Sequence, residues 1–92
     1  MDNSQLIAKV LKSKLKQKIL LEISKEKVTQ AQLSKRFNLY RSHINEMITD
    51  LLKNNLITCL NPKDREYKFY EITELGKEIL KFADKIKKEL DK

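Results

Sequence analysis

Polar residues that can read duplex DNA follow one side of the segment "YRSHINEMITDLLKNN". An Asn amide can pair with adenine through two hydrogen bonds, an Arg guanidinium can do the same with guanine, and a Thr methyl group can contact the thymine methyl. The candidates for contact with base edges or phosphates are Arg41, Ser42, Asn45 and Thr49. The alternative interpretation is a solvated helix face, because the acidic Glu46 lies among them.

Cationic residues before, within and after this segment are candidates for contact with phosphates. Such contacts fix the position of a protein on DNA without reading its sequence. The candidates are Lys35, Arg36, Lys53, Lys63, Arg65 and Lys68. The composition supports this interpretation, since 20 Lys and Arg against 13 Asp and Glu give the 92 residues a net charge of +7, and a positive field attracts polyanions. A Lys-rich surface that serves only solubility is the alternative.

The composition argues against a metal site, a cofactor site and an enzyme. A structural zinc site takes about four ligands of the Cys and His type, and the chain has only Cys59 and His43. The sequence shows no pairing of a nucleophile with a base, and its single Gly cannot form a glycine-rich phosphate loop. We therefore expect no catalytic residues, no metal and no cofactor.

The chain also lacks the pattern of a membrane protein. A membrane-spanning helix needs about 20 consecutive apolar residues, and no run of that length occurs. Lys9 and Lys12 interrupt the apolar N-terminal segment, which argues against a signal peptide. We expect a soluble, cytoplasmic protein with a single domain over residues 1–92, because a chain of this length supports one modest core.

Two helical segments precede the DNA-contact candidates. Apolar residues recur at helical spacing over residues 4–24, which predicts one long helix or two helices with Ser13 as the cap between them. A further helix follows in "VTQAQLSKRF", where Thr29 and Gln32 match a capping box. Asn38 ends this helix, because Asn tolerates the left-handed backbone of a tight turn.

The next helix carries its apolar residues in a single stripe. The stripe consists of Ile44, Met47, Ile48, Leu51 and Leu52. Because a helix turns by about 100° per residue, the side opposite the stripe is polar, and Asn45 lies on one flank of it. The residues on the opposite side are Ser42, Glu46, Thr49 and Lys53. A short helix joined by a turn to a longer amphipathic helix is the plan of a helix-turn-helix, in which the second helix enters the major groove.

A charged hairpin follows in "NPKDREYKFYEIT". Residues 56–60 and 66–73 have strand-like patterns on either side of a turn at Pro62. A lone hairpin is marginally stable, so we expect it to pack on the helices and on a short third strand near Val28. Thr73 then caps the last helix. The sequence thus predicts a mainly α fold with a small β-hairpin, a winged helix-turn-helix with N- and C-terminal helices.

The segment "NPKDREYKFYEITELGKEIL" resembles the wing and following helix of the MarR family, which typically reads Asp-Pro-x-Asp-Arg-Arg, then alternating residues, then Leu-Thr-x-x-Gly. The residues at matching places are Asp64, Arg65, Thr73 and Gly76. The resemblance covers about residues 15–80. It implies a dimeric DNA-binding transcriptional regulator, with the third helix in the major groove and the wing Arg near the minor groove. Glu66 stands where this family usually has a second wing Arg, and Tyr40 stands where it has a small polar cap.

Apolar residues near both ends of the chain predict a homodimer. They lie in two helical extensions, residues 1–12 and 80–92, and comprise Leu6, Val10, Phe82, Ile86 and Leu90. They form more apolar surface than a small domain buries alone, so we expect two copies to pack symmetrically through these helices. Such a dimer would present two recognition helices to half-sites about one helical turn apart. The alternative is that the first and last helices pack on each other within one chain.

Sequence-preferring binding of double-stranded DNA by a small transcriptional regulator is the leading hypothesis. One alternative is an architectural protein that coats DNA through backbone contacts alone. Another is a protein-interaction module, since one fold can serve several functions.

Overall fold

The computed structural model describes residues 13–65 and 67–90, with side chains described through residue 85. The helices in this part of the chain are α1 (Lys14–Lys25), α2 (Gln30–Phe37), α3 (Arg41–Lys53) and α4 (Glu74–Leu90). The strands are β1 (Val28–Thr29), β2 (Ile57–Cys59) and β3 (Phe69–Ile72). The order is α1, β1, α2, α3, β2, β3, α4, which confirms the predicted winged helix-turn-helix.

The three strands form one antiparallel sheet in the order β1-β3-β2. Val28 pairs with Tyr70, and Ile57 pairs with Ile72. The short third strand expected near Val28 is therefore confirmed, and it gives the hairpin the extra strand that a pair of strands needs for stability.

Both hairpin strands are shorter than the sequence predicted. Residues 56–60 and 66–73 were expected as strands, whereas the structure has Ile57–Cys59 and Phe69–Ile72. The reason lies in the Asn61 side chain, whose Nδ2 donates to the Tyr67 carbonyl at 2.6 Å and whose Oδ1 accepts from the Phe69 N–H at 2.8 Å. The Phe69 N–H thus bonds to a side chain where a longer ladder would have paired it with backbone, and the ladder partner of the Tyr67 carbonyl would be Pro62, which has no N–H.

The core lies between the sheet and the helices. Apolar residues from α1, α2, α3 and the residue just before β2 meet there, each no more than 1% exposed: Ile19, Leu20, Leu33, Ile44, Ile48, Leu51 and Leu56. Three residues of the predicted α3 stripe belong to this set, and Met47 and Leu52 pack against its edge. The stripe thus fixes which side of α3 faces inward, and it leaves the polar side outward.

Three predicted caps set the helix ends. The Ser13 hydroxyl accepts from the Lys16 N–H at 3.2 Å, so a helix begins at Lys14, as the two-helix alternative requires. The Thr29 hydroxyl accepts from the Gln32 N–H, and the Gln32 side chain accepts from the Thr29 N–H, which confirms the capping box. Asn38 is left-handed, with φ of 53°. The turn between α2 and α3 therefore has the geometry that the residue types indicated.

The beginning of α4 packs tightly against the segment that leaves α3. The Thr73 hydroxyl accepts from the Gly76 N–H at 3.1 Å and donates to the Asn55 carbonyl at 2.7 Å, which confirms Thr73 as the cap. A Cβ atom at Gly76 would lie 2.3 Å from the Leu56 carbonyl oxygen. This close approach is what requires glycine in the Thr-x-x-Gly pattern.

Helix α4 contacts α1 within the same chain. The packing face of α4 includes Ile79 and Ala83, at 2% and 6% exposed, whereas Phe82 is 46% exposed. The other predicted dimerisation residues lie outside what the structure describes: Leu6 and Val10 altogether, and Ile86 and Leu90 in their side chains. The described helices α1 and α4 thus pack on each other, and Phe82 is left at the surface. The packing predicted for residues 1–12 lies outside the described residues.

Candidate nucleic-acid interface

A concave cleft of about 310 Å³ opens between α3 and the connection that joins β2 to β3. This connection is called the wing below (residues 60–65 and 67–68), and the concavity is called the α3–wing cleft. Among its lining residues are five of the predicted contact residues: Arg41, Asn45, Thr49, Arg65 and Lys68. The wing residues of this set follow the α3 residues by 16 to 27 positions in sequence, yet all five meet at one surface. This surface combines hydrogen-bonding groups from a helix with cations from a loop.

The burial of α3 on its apolar side explains how the helix presents its part of the cleft. Ile44 and Ile48 are at most 1% exposed and face the core. The residue after each of them, Asn45 and Thr49 respectively, is exposed. Tyr40, the N-cap residue of α3, makes no side-chain capping bond and is 86% exposed. The departure from a small polar cap leaves the first N–H groups of α3 available to solvent or a ligand.

Two other predicted contact residues of α3 lie beside the cleft. Ser42 is exposed on the first turn. Lys53 lines a shallower depression on the outer surface of α3 together with Asn45, Glu46, Thr49 and Asp50. The cleft and this depression share Asn45 and Thr49, so together they form a continuous polar surface along the helix.

Gln30, the first residue of α2, joins the sheet to α3 at the wall of the cleft. Its Nε2 donates to Asn45 Oδ1 at 2.9 Å and to the Tyr70 hydroxyl at 3.3 Å. Tyr70 is only 3% exposed, and burial raises the pKa of its hydroxyl, with nearby Cys59 adding to the effect and the Gln30 hydrogen bond opposing it. Tyr70 therefore stays neutral near pH 7 and serves as a fixed anchor for Gln30.

Side-chain hydrogen bonds shape the wing that carries Arg65 and Lys68. The Asn61 amide bridges Tyr67 and Phe69, as described above, and the Asp64 carboxylate accepts from the Tyr67 N–H at 2.9 Å. The Asp64 N–H in turn donates to the Asn61 carbonyl at 3.1 Å, which closes the turn that contains Pro62. Asn61 and Asp64 thus set the course of the backbone on both sides of Arg65.

The structure does not bring every predicted phosphate contact into the cleft. Lys63 is exposed in the wing turn and Lys35 is exposed on α2, both apart from the cleft lining. Arg36 donates to Glu22 and Glu26 of the α1 region. Its hydrogen bond to Glu26 is the main cause that raises the pKa of the guanidinium; desolvation opposes the rise, and the charge of Glu26 and the Glu22 contacts add to it. Arg36 therefore holds α2 against the C-terminal end of α1.

A second ion pair connects α1 to α3. Lys16 Nζ contacts Asp50 Oδ2, with side chains 20% and 36% exposed. The pair balances one of the two acidic charges on the outward surface of α3, so Glu46 is the acidic residue left exposed there. Residue types alone gave no signal for this pair, because its partners are 34 positions apart.

Residues 13–65 and 67–90 contain no group of three or more His, Cys, Asp and Glu side chains placed to hold a metal ion. None of the helices in the same ranges has the length and apolar character needed to cross a bilayer.

The chain is similar in sequence to winged helix-turn-helix proteins and to a transcriptional regulator. The family model for winged helix-turn-helix proteins matches residues 9–91. The transcriptional regulator AdcR of Streptococcus pneumoniae is 31% identical over 62 residues, which make up 66% of this chain and 42% of AdcR.

The fold is also similar to solved structures of regulators. The transcriptional regulator BldR of Sulfolobus solfataricus has 28% identity and a TM-score of 0.74, over 85% of this chain and 57% of BldR. MarR of Staphylococcus aureus, solved with salicylate and kanamycin, has 26% identity and a TM-score of 0.75, over 83% of this chain and 52% of MarR. The chain spans about half the length of these relatives.

Proposed function

The chain belongs to the winged helix-turn-helix family, and on this premise we propose that it is a DNA-binding transcriptional regulator. Helix α3 enters the major groove, and the wing lies along the backbone or in the minor groove. The α3–wing cleft is the observation that carries the proposal, because it joins base-reading residue types on α3 to two cations on the wing. The similarity to BldR and AdcR, both named as transcriptional regulators, supports the same function.

The position of each side chain suggests its role. Asn45 and Thr49 project from the middle of α3 and face base edges, and Arg41 and Ser42 in the first turn reach bases or phosphates. The cations at the margins of this surface contact phosphates: Lys35, Lys53, Lys63, Arg65 and Lys68. We leave Arg36 out of the interface, because its terminal nitrogens already donate to Glu22 and Glu26. A protein that acts on chromosomal DNA in this way would work in the cytoplasm of a bacterial or archaeal cell.

The proposal includes a homodimer. The exposed Phe82 supports it, because an aromatic ring that is 46% exposed on the outer side of α4 gains from burial against a second copy. A two-fold dimer would pair two α3 helices with a palindromic site. Sedimentation should show a dimer at micromolar concentrations and a shift toward monomer in Phe82→Lys. A wild-type monomer at those concentrations would refute the dimer.

Footprinting on genomic fragments tests the regulator against an architectural protein. We expect a discrete protected site, because the polar surface of α3 includes base-reading residues. Asn45→Ala should change the sequence preference, whereas Arg65→Ala should weaken binding to all sequences alike. Uniform protection, with both variants behaving alike, would support an architectural protein that makes backbone contacts only.

Salt dependence tests DNA binding against a protein-interaction module. If each dimer neutralises about six phosphates, the logarithm of affinity should fall with the logarithm of salt concentration with a slope of about −5. Arg65→Ala should make this slope less steep by about 1 for each phosphate that the protein no longer neutralises. A flat response, or an absence of duplex binding at low salt, would favour the interaction module.

A further inference from the structure

The Gln30 side chain bonds to residues of other elements at the α3–wing cleft. The N-terminus of α2 is already capped by Thr29 and Gln32. The Gln30 amide group instead donates to Asn45 Oδ1 at 2.9 Å and to the Tyr70 hydroxyl at 3.3 Å. An amide nitrogen carries two hydrogens, so these two contacts use both. Through this one nitrogen, Gln30 is tied both to a buried residue of β3 and to a residue on the exposed surface of α3.

This arrangement selects one orientation of the Asn45 amide. The terminal torsion of an Asn side chain is broad and roughly two-fold, so a free amide on a helix surface presents its oxygen and its nitrogen interchangeably. Because Gln30 is the donor, Asn45 Oδ1 turns toward Gln30, and Asn45 Nδ2 keeps its hydrogens for a ligand in the cleft. The ordering of this side chain precedes binding, which lowers its entropic cost.

We propose that Gln30 is a positioning residue that determines sequence preference by orienting Asn45 as a hydrogen-bond donor. The inference rests on the proposed function, since it assumes that α3 lies in a major groove. Guanine presents two acceptors there, N7 and O6, whereas cytosine presents a donor, N4–H₂. At the base pair that Asn45 reads, the protein therefore prefers guanine over cytosine on the contacted strand.

Gln30→Glu tests the proposal by exchanging a donor for an acceptor. A carboxylate only accepts, so Asn45 turns over, gives an Nδ2 hydrogen to the new Glu side chain and presents Oδ1 to the base. We expect the guanine-to-cytosine affinity ratio to shift toward cytosine by about tenfold, corresponding to the removal of one good hydrogen bond to a base. Competition binding with duplexes that differ only at the position identified by Asn45→Ala measures this ratio.

Ala31→Glu is the matched control. Ala31 is the next residue of α2 and also lines the cleft, so this variant adds the same negative charge while Gln30 keeps its amide donor for Asn45. Both Glu variants should bind all duplexes more weakly through repulsion of phosphates, but only Gln30→Glu should shift the ratio. In the Asn45→Ala background, Gln30→Glu should leave the ratio unchanged. Tyr70→Phe, which removes the anchor of Gln30 and keeps the ring, should move the ratio toward one.

The outcomes separate this inference from the proposed function. A ratio that Gln30→Glu and Ala31→Glu change equally, or that neither changes, overturns the positioning role while sequence-preferring binding stands. A wild-type protein that binds no duplex, or whose preference is indifferent to Asn45→Ala, overturns the base-reading role of α3 and the inference with it. Thermal melting of each variant shows that the fold is retained.

Discussion

The two sides of the α3–wing cleft are held in place by different forces. Helix α3 rests on side chains such as Ile44, Ile48 and Leu51, each at most 1% exposed. The wing is held mainly by hydrogen bonds of Asn61 and Asp64, in a segment where most residues are exposed. One side of the cleft is thus fixed by hydrophobic burial, and the other by polar contacts that compete with water.

This difference has consequences for stability and motion. Fully burying an aliphatic side chain contributes about 2 kcal/mol, whereas a hydrogen bond contributes about 1 kcal/mol net. Segments with few buried apolar contacts open at lower free energy than the core does. We therefore expect α3 to keep its position until the domain unfolds, and the wing to open locally beforehand. Arg65 and Lys68 then join the interface only while the wing is closed.

The largest expected effect comes from weakening the buried support of α3. Ile44→Ala should lower the free energy of unfolding by about 3 kcal/mol, because it removes a fully buried side chain and leaves a cavity. Urea denaturation measures the change. Thr49→Ala, on the exposed side of the same helix, is the control and should change stability little. Similar losses for the two variants would contradict the assignment of the buried and exposed sides.

The next largest effect is expected where α4 begins, against Leu56 and β3. Gly76→Ala should lower the free energy of unfolding by about 2 kcal/mol through overpacking, because the new Cβ would lie 2.3 Å from the Leu56 carbonyl oxygen and 2.7 Å from Ile72 Cγ1. Lys77→Ala, one residue later and exposed, serves as the control in the same denaturation experiment. An unchanged free energy of unfolding in Gly76→Ala would show that the neighbouring atoms move to admit the Cβ atom, and it would contradict the requirement for glycine at this position.

A smaller loss of stability, with a larger effect on binding, is expected in the wing. Asn61→Ala removes both side-chain bonds across the hairpin and should cost about 1 kcal/mol of stability. It should also weaken duplex binding on all sequences, since the wing cations lose their fixed positions. Asn61→Asp keeps the acceptor for the Phe69 N–H and should recover part of the stability, whereas its new negative charge should keep duplex binding weak. Hydrogen exchange in the wing should rise in Asn61→Ala while α3 stays protected; unchanged exchange would refute the role of Asn61 in holding the wing.

The smallest effect on stability is expected for the Lys16–Asp50 pair. Both side chains are partly exposed, so Lys16→Ala should cost about 0.5 kcal/mol. Duplex binding should respond in opposite directions, since Lys16→Ala leaves Asp50 unbalanced near phosphates and Asp50→Asn removes the repulsive charge. A double-mutant cycle in DNA affinity measures the coupling. Additive effects of the two substitutions would show that the pair does not influence the interface.

Local residue chemistry predicted much of the fold. Thr29 with Gln32, Asn38 and Thr73 each satisfy a backbone requirement within a few positions of themselves, so their residue types indicated the helix ends. The apolar stripe of α3 likewise specified its buried side. These features depend on contacts between near neighbours in sequence, which a single chain displays directly.

Polar contacts between the side chains of distant residues were not predicted. The Lys16–Asp50 pair and the Gln30 contacts to Asn45 and Tyr70 join different elements, and many other polar pairs of the same types occur in a chain this rich in charge. The predicted ends of β2 and β3 were wrong, because the pattern of residues does not show that the Asn61 side chain bonds to backbone groups of Tyr67 and Phe69. Arg36 illustrates the same limit, since its charge suggested a phosphate contact and its position gives it two carboxylate partners.

The most direct test of the proposed interface is to map amide chemical shifts of the ¹⁵N-labelled protein as a duplex selected from genomic DNA is added. We predict that the largest changes occur together on both sides of the cleft, at Asn45 and Thr49 of α3 and at Arg65 and Lys68 of the wing. Changes confined to α1 and α4, with α3 and the wing unaffected, would contradict the claim that this cleft binds DNA.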